Sequence, residues 1–490
     1  MTLHWTDRAL AVVSPQAAMR RVSARVALRN MTAYYDAASA GGRTGSWRKS
    51  RGDANAAGGR RARLSFISRD MVRNNPIATG VVQTIVSHTI GKGIMPKLEN
   101  IKDDALLKAG KERLERFLKS HAIDWRGRET LAGLQRLVDA AIVTDGEVLV
   151  ILHPGANGGY PKLEVLEIDH LDDAAFRAGT EGGYVQDGIE YDADGHRVAY
   201  HLFDEHPGAQ GWIAWKGRAV SRRVPAQFVL HLFRQDRPGQ ERGVSWFAPV
   251  ALPLQDLADY EDAQLVRQKI AACFTVFRHT TNKNDQVPAT LSPGAIVDVS
   301  GEDGYEFASP PGVDGYDEFT RGQLRRIAKG MGITYEACSG DLSKVNFSSA
   351  KMGRMEMDRN VESWQWLILI AQFLAPLGRL FLQSWALEPA FLHRAEEILA
   401  ANVDWVPPAR ILIDPAREIP PLVEEVRAGL NSRQRAVTSL GRDPDQIHQE
   451  QVEDKKQADT DGLIYDSDGR YHAKPAPPVA GEKQELENNE

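Results

Sequence analysis

Apolar residues recur every three to four positions in three early stretches, the spacing that lines one face of an α-helix. Val82, Ile85, Val86 and Thr89 do so behind Pro76, whose missing N–H is harmless at a first helical position, until Gly91 and Gly93 stop the pattern. Leu106, Leu107, Leu114, Phe117 and Leu118 predict a second helix, and Leu131, Leu134, Leu137, Val138 and Ile142 a third that begins near Glu129. After Gly146 the pattern changes. Short apolar runs at 148–152 and 163–168 predict strands, and Asp192-Ala193-Asp194-Gly195 predicts a tight hairpin turn between 189–191 and 198–203. With a last run at 228–233, residues 61–245 read as one α+β unit.

From Trp246 the chain reads as helical for about 30 residues. Asp256, Asp259, Glu261 and Asp262 occupy the first half of that stretch and Arg267, Lys269 and Arg278 the second, an order that complements the helix dipole. Residues 279–316 are polar and rich in Pro and Gly, with brief strand-like pieces such as 295–299. A shorter helix, 317–331, follows, in which Arg321, Arg325 and Lys329 form one basic stripe. The loop 338–349 leads into a long helical region ending near Pro389. Its apolar stretch from Trp364 to Leu382 is interrupted by Gln365, Gln372, Pro376, Gly378 and Arg379. A membrane span needs about 20 largely apolar residues, so this reads as a buried helix and no membrane partner is expected. Residues 41–59 read as a flexible arm and 441–490 as a poorly ordered acidic tail. No internal repeat is visible.

The chain has 490 residues, room for about three structural units, and a 42 % apolar fraction sufficient for a sizeable core. Cys273 and Cys338 are too few for a disulfide framework or a cysteine zinc site. The first 30 residues lack the apolar core of a secretory signal, so a soluble protein made in a reducing compartment is expected. The net charge of −6 hides an asymmetry: residues 1–75 hold 14 Lys and Arg against 4 Asp and Glu, residues 441–490 hold 6 against 13. A basic arm and an acidic tail on one chain suit association with other macromolecules or with further copies.

Catalytic signatures are absent. There is no phosphate loop of the Gly-x-x-x-x-Gly-Lys-Ser/Thr type, no His-Glu-x-x-His pair and no Gly-x-Ser-x-Gly elbow. Aligning Gly195 with the sixth position of a calcium loop puts His201 where a bidentate Glu is required, so that match fails. Asp169, His170, Asp172 and Asp173 could serve a metal-dependent nuclease, but neighbours in an extended chain point to opposite faces. A solvated loop is the plainer account. Cys338 has no suggestively spaced His and reads as a small buried residue. No catalytic residue, metal or cofactor is expected, and the chain does not read as an enzyme.

Three segments carry a family resemblance: 68–97 (SRDMVRNNPIATGVVQTIVSHTIGKGIMPK), 234–274 (RQDRPGQERGVSWFAPVALPLQDLADYEDAQLVRQKIAACF) and 330–359 (GMGITYEACSGDLSKVNFSSAKMGRMEMDR). The most specific parts are Gly-Val-Ser-Trp-Phe-Ala-Pro opening an amphipathic helix, and Tyr335-Glu336 followed by Gly340-Asp341-Leu342-Ser343 and Asn346-Phe347-Ser348-Ser349. Over about residues 30–440 the chain resembles the portal proteins of tailed phages, specifically the lambda-like portal family. That resemblance implies an α+β portal fold and a ring, usually of twelve copies, at one capsid vertex. Double-stranded DNA passes through it without sequence preference during terminase-driven packaging and later ejection. It also implies the terminase large subunit, the major capsid or scaffold protein and the head-completion and tail connector proteins as partners, with assembly in the host cytoplasm and residence in the virion. Its parts would be a wing (61–245), a first stem helix (246–278), a clip (279–316), a second stem helix (317–331), a tunnel loop (332–350) and a helical wing and crown region (351–440); the basic arm (1–60) and the acidic tail (441–490) lie outside the matching region, and the resemblance says little about them. A metal-dependent nucleic-acid enzyme and a minor capsid or scaffold protein without a channel are the competing readings.

Physical arguments bear on the same residues. A ring that lets DNA slide must not grip it, and each neutralised phosphate adds grip through counterion release. Twelve copies at −6 carry roughly −72 and suit weak, non-specific contact. Lys344, at the centre of the 340–349 loop, is the candidate for touching the DNA backbone, with Ser343 and Asn346 as polar neighbours. The stripe Arg321, Arg325 and Lys329 either faces DNA or pairs with Asp256, Asp259 and Asp262, within or between subunits. Pairing is the preferred reading, because complementary charges set the register of an interface.

Overall fold

A computed structural model of the chain describes residues 14–17, 21, 52–56, 60–155, 160–179, 182–209, 220–272, 276–280, 296–300, 304–307, 315–408 and 414–463, with backbone alone within 270–307. The chain divides into two compact units, Met1–Ala56 and Ala57–Glu490. Most of the expected arm (1–60), and the end of the acidic tail from 464 onward, lie outside the described residues.

The second unit opens with α1 (Arg60–Asn74) and α2 (Pro76–Thr89). Asn75 caps α2, its Oδ1 accepting from the backbone N–H groups of Ile77 at 2.9 Å and Ala78 at 3.2 Å, with Pro76 at the first helical position as the sequence predicts. The strand β1 (Met95–Glu99), α3 (Asp104–Lys119) and α4 (Leu131–Asp145) follow. Leu131, Leu134, Val138 and Ile142 of α4 are buried, but Leu137, expected on the same face, is half exposed. Gly146 ends α4 at φ +94°, and a Cβ there would stand 2.2 Å from the backbone of Val244, so only glycine fits.

Gly146 leads into β2 (Glu147–His153), which pairs antiparallel with β3 (Lys162–Glu167) and, on its other edge, β9 (Val229–Phe233). Because side chains alternate along a strand, Val148, Val150 and Leu152 enter a core shared with α2, α3 and α4, whereas Leu149 and Ile151 enter a second core. Burial on both faces explains why this segment reads as an unbroken apolar run. The second core is closed by a meander of β4 (Arg177–Ala178), β5 (Tyr184–Gln186), β6 (Ile189–Tyr191), β7 (Arg197–Phe203) and β8 (Ser221–Pro225), in that spatial order.

The helix expected from Trp246 begins later, as α5 (Ala251–Ala272). Trp246 and Phe247 are buried in a turn in which the Ser245 hydroxyl accepts from the Phe247 N–H. Arg278, expected on that helix, lies in β10 (Val276–Thr280). This strand pairs parallel with β11 (Ile296–Ser300) and antiparallel with β12 (Gly304–Phe307), so the β-unit starts before residue 279. Then come α6 (Tyr316–Met331), α7 (Tyr335–Ser339) and α8 (Phe347–Trp364). The chain continues without a break as a π-helix, Gln365–Leu374, into α9 (Ala375–Ala386).

The stretch Ser348–Ala386 is long and apolar enough to cross a membrane by length and composition alone, and half of its most apolar window is buried. Leu369, Phe373, Leu377, Phe381 and Trp385 fill the first core, in keeping with the buried helix predicted here. Two glutamines in the π-helical stretch bond to other elements. Gln365 donates to the Thr89 carbonyl at the end of α2, and the Gln372 amide accepts from and donates to the backbone of Phe233 on the edge strand β9. A π-helical run of this kind inside an α-helix is rare.

Beyond α10 (Ala395–Ala400), β13 (Asn402–Val406) pairs with β1, from Met95 against Val406 to Glu99 against Asn402. Residues 351–440 are therefore not all helical. α11 (Pro415–Arg427), α12 (Arg433–Ser439) and α13 (Pro444–Asp461) complete the described chain. The first part of the expected tail is thus an 18-residue helix, capped by the Asp443 side chain. Lys97 of β1 reaches its Asp445 at 3.7 Å.

Candidate functional site

α5 and α6 pack through aromatic rings. Tyr260 stacks on Tyr316 with centroids 5.8 Å apart and meets Phe319 at 4.7 Å. Beyond that contact the pair is open. Leu252, Leu265 and Val266 of α5 are each at least half exposed, and Asp256, Asp259 and Asp262 are exposed as well. None of the three carboxylates meets a cation among the described residues; Asp259 accepts only from the Gln255 amide.

The basic stripe of α6 does not pair with them inside the chain. Arg321 lies 3.1 Å from Asp317, one turn back on the same helix, and 3.7 Å from Asp341 in the following loop. Arg325 stands over the Tyr335 ring at 5.4 Å. Lys329 bonds Glu356 on α8 at 2.6 Å. The predicted spacing is present, but the stripe faces α7, the loop and α8, because α6 turns back at Gly332 and lays those elements beside it. Gly332 has φ +74°, and a Cβ there would press on Trp364 and Asn360.

The loop 340–346 is narrower than predicted, since Cys338 belongs to α7. Its thiol is half-buried and pushed up to about 11 by that burial, the reverse of what a nucleophile needs. Asp341 organises the loop. It accepts from the Tyr335 hydroxyl at 3.0 Å and from the Ser343 N–H at 3.0 Å, while its own N–H donates to the Ser339 hydroxyl at 3.1 Å. Bonds from Ser343 first, then from Tyr335, together with the nearby charge of Arg321, hold its carboxyl down at about 2. Asn346 is the N-cap of α8, its Oδ1 accepting from the Ser349 N–H at 2.8 Å while its own N–H donates to the Ser349 hydroxyl. Of the three residues predicted to touch DNA, Ser343 and Asn346 are thus engaged locally. Lys344 alone is exposed without a partner among the described residues. Tyr335 and Asp341 belong to the motif quoted above, but nothing in their spacing signals that they bond one another.

The nuclease constellation does not assemble. Asp169 receives Arg69 at 2.5 Å, the buried His170 bonds the Phe203 carbonyl, Asp172 accepts from the Ser221 hydroxyl at 2.6 Å, and Asp173 is exposed. Glu167, Asp169 and His206 do converge, with His206 Nε2 3.1 Å from Glu167 and 3.8 Å from Asp169. Arg69 already supplies the positive charge there while also bonding Asp145 at 2.7 Å. A quite different charged group lies deeper. Burial would raise the pKa of Glu147, but the Arg242 guanidinium at 2.7 Å and the His231 N–H at 3.0 Å hold it far below the usual carboxylate range. Gly243 adds a backbone donor at 2.7 Å. Burial likewise pushes the pKa of His231 down, leaving a neutral ring.

The described residues thus present an α+β body and two helices packed through aromatic rings with exposed carboxylates, and among them the nuclease constellation read from the sequence does not assemble. Residues 40–365, more than half of the chain, match the family described as phage portal protein, lambda family. The chain belongs to that family, which is structural and not catalytic. A probable portal protein of Halomonas phage phiHAP-1 is 25 % identical over 381 residues, covering 73 % of this chain and 72 % of the relative. Portal protein B of Escherichia phage lambda is 23 % identical over 325 residues, covering 56 % of this chain and 59 % of that protein. Among solved structures, a chain in the neck of a native gene transfer agent particle, computed with C12 symmetry, aligns at TM-score 0.45 and 15 % identity over 77 % of this chain and 94 % of its own. An HK97 family phage portal protein from Corynebacterium diphtheriae aligns at TM-score 0.34 and 11 % identity over 69 % and 94 %.

Proposed function

We propose that copies of this chain close into a ring, about twelve in number, at one vertex of a tailed-phage capsid. The ring passes double-stranded DNA inward during packaging and outward during ejection. The observation that carries this reading is family membership over residues 40–365. The open α5–α6 pair supports it. A helix exposing Leu252, Leu265 and Val266 together with three carboxylates lacking a described cation calls for a neighbour over that face. In this reading residues 61–245 are the wing, α5 and α6 the stem, β10–β12 the clip, the loop 340–346 the tunnel loop, and residues 351–440 the wing and crown region. Asp256, Asp259 and Asp262 meet cations of the adjacent copy, since the stripe of α6 is engaged inside its own chain.

Lys344 touches the phosphate backbone as a point charge, with no reading of sequence. A net −6 per chain keeps that contact weak enough for sliding. The clip meets the terminase large subunit during packaging and the head-completion and tail connector proteins afterwards, and the wing meets capsid or scaffold protein. The ring is assembled in the host cytoplasm and resides in the virion. Native mass spectrometry with negative-stain imaging of the full chain tests the reading. A closed ring near twelve copies with an axial hole is expected, and a compact dimer as the largest species, under conditions that support packaging, would overturn it.

A further inference from the structure

The stripe of α6 and the loop form one connected unit. Arg321 reaches Asp341, Arg325 covers the Tyr335 ring, and the Tyr335 hydroxyl bonds Asp341, which in turn holds the Ser343 N–H next to Lys344. On the far side, Lys329 bonds Glu356 and the Asn360 amide donates to the Gly332 carbonyl at 2.9 Å, so the second half of α8 is tied to the same helix. The Thr84 hydroxyl of α2 reaches the Ala337 carbonyl at 3.4 Å, which fixes α7 against the body. Asp341 is thus bonded toward α6 and α7, Ser343 to Asp341 and Asn346 to the N-terminus of α8, whereas Lys344 is exposed with no partner among the described residues.

We propose that Asp341 is a positioning residue: it latches the loop 340–346 to α6 through Tyr335 and Arg321, so that Lys344 is presented in one place. The role deepens the conduit reading and rests on it for the identity of what Lys344 touches. The latch itself can be measured without DNA. In the full-length protein, Asp341→Ala removes the acceptor for both Tyr335 and Ser343, and amide hydrogen exchange at 341–346 should quicken about tenfold while exchange in α5 and α6 is unchanged. Asp341→Asn keeps an acceptor and should recover part of that protection. Unchanged exchange in Asp341→Ala would overturn the latch.

The second readout is DNA retained per particle. Asp341→Ala should reduce or alter retention in the same sense as Lys344→Ala, and the double variant should be no worse than Lys344→Ala alone, because one residue acts through the other. Additive losses would overturn the proposal, as would wild-type retention in Asp341→Ala. Quickened exchange together with a chain that forms no ring would leave the latch standing and remove the conduit reading.

Discussion

The charges of the inner sheet and those of the α5–α6 pair are of the same residue types and do opposite work. Glu147, Arg242 and His231 are buried, and one charged guanidinium, one neutral imidazole N–H and one backbone N–H converge on one carboxylate. Asp256, Asp259 and Asp262 stand in solvent with no cation among the described residues. Buried ions need their partners inside the same chain, because desolvation is otherwise unmatched. Exposed ions on a helix that also exposes apolar side chains suit a partner outside it. Where a charge is satisfied therefore separates the part of this chain that holds its own fold from the part we propose to meet a neighbouring copy.

The largest expected effect tests the first half of that contrast. Arg242→Met would strand Glu147 in the core and should lower stability by about 3–5 kcal/mol in urea unfolding. A loss below about 1 kcal/mol would mean that the network is peripheral and the contrast false. Two further buried groups sharpen it through pH. Asp139 is fully buried with one carboxyl oxygen lacking a partner, and burial pushes its pKa up to about 7 despite a bond with Thr89. Its folded pKa lies above the unfolded value, so the folded state holds the extra proton between about pH 4 and 7, and stability falls as pH rises through that window by about 4 kcal/mol. His231 has the opposite sign. Kept neutral by burial, it opposes folding once the unfolded chain takes up a proton below about pH 6.5. Asp139→Asn should therefore be more stable than wild type at pH 8 and lose the downward slope between pH 4 and 7; an unchanged profile would show that Asp139 is ionised in the fold.

Local pattern revealed the elements whose signals are local. The cap at Asn75, the apolar faces of α2, α3 and, Leu137 apart, α4, and the turn at Asp192 to Gly195 depend on neighbours a few residues away, and they form as predicted. The pairing of β1 with β13 joins residues some 300 apart, and nothing near Met95 announces it. α13 escaped because its surface is polar all round, with only Ala458 buried, so composition pointed to a loose tail. At the candidate site, the spacing of Arg321, Arg325 and Lys329 was plain, but their partners depend on the turn at Gly332, which sets the stripe against α7 and α8 instead of α5. Lys344 was legible as an isolated cation in a polar loop. The cap formed by Asn346 and the hub at Asp341 were not, because a side chain's choice between backbone and solvent is settled by geometry.

The smallest effect on folding bears on the other half of the contrast. Replacing Asp256, Asp259 and Asp262 together by Asn removes three exposed charges that no described cation offsets, so monomer stability should shift by no more than about 0.5 kcal/mol. Assembly should respond differently. If the three carboxylates meet cations of the next copy, the variant's rings should dissociate at lower protein concentration. The salt dependence of ring formation should also flatten, because screening acts only on charges that are present. Native mass spectrometry across a salt series reads both quantities from one sample. A variant with wild-type assembly and wild-type salt dependence would show that this face of α5 is simply solvated, and the apolar residues Leu252, Leu265 and Val266 would then have to account for association alone. A variant that loses stability by several kcal/mol would instead place those carboxylates among the charges the fold needs for itself, on the same side of the division as Glu147.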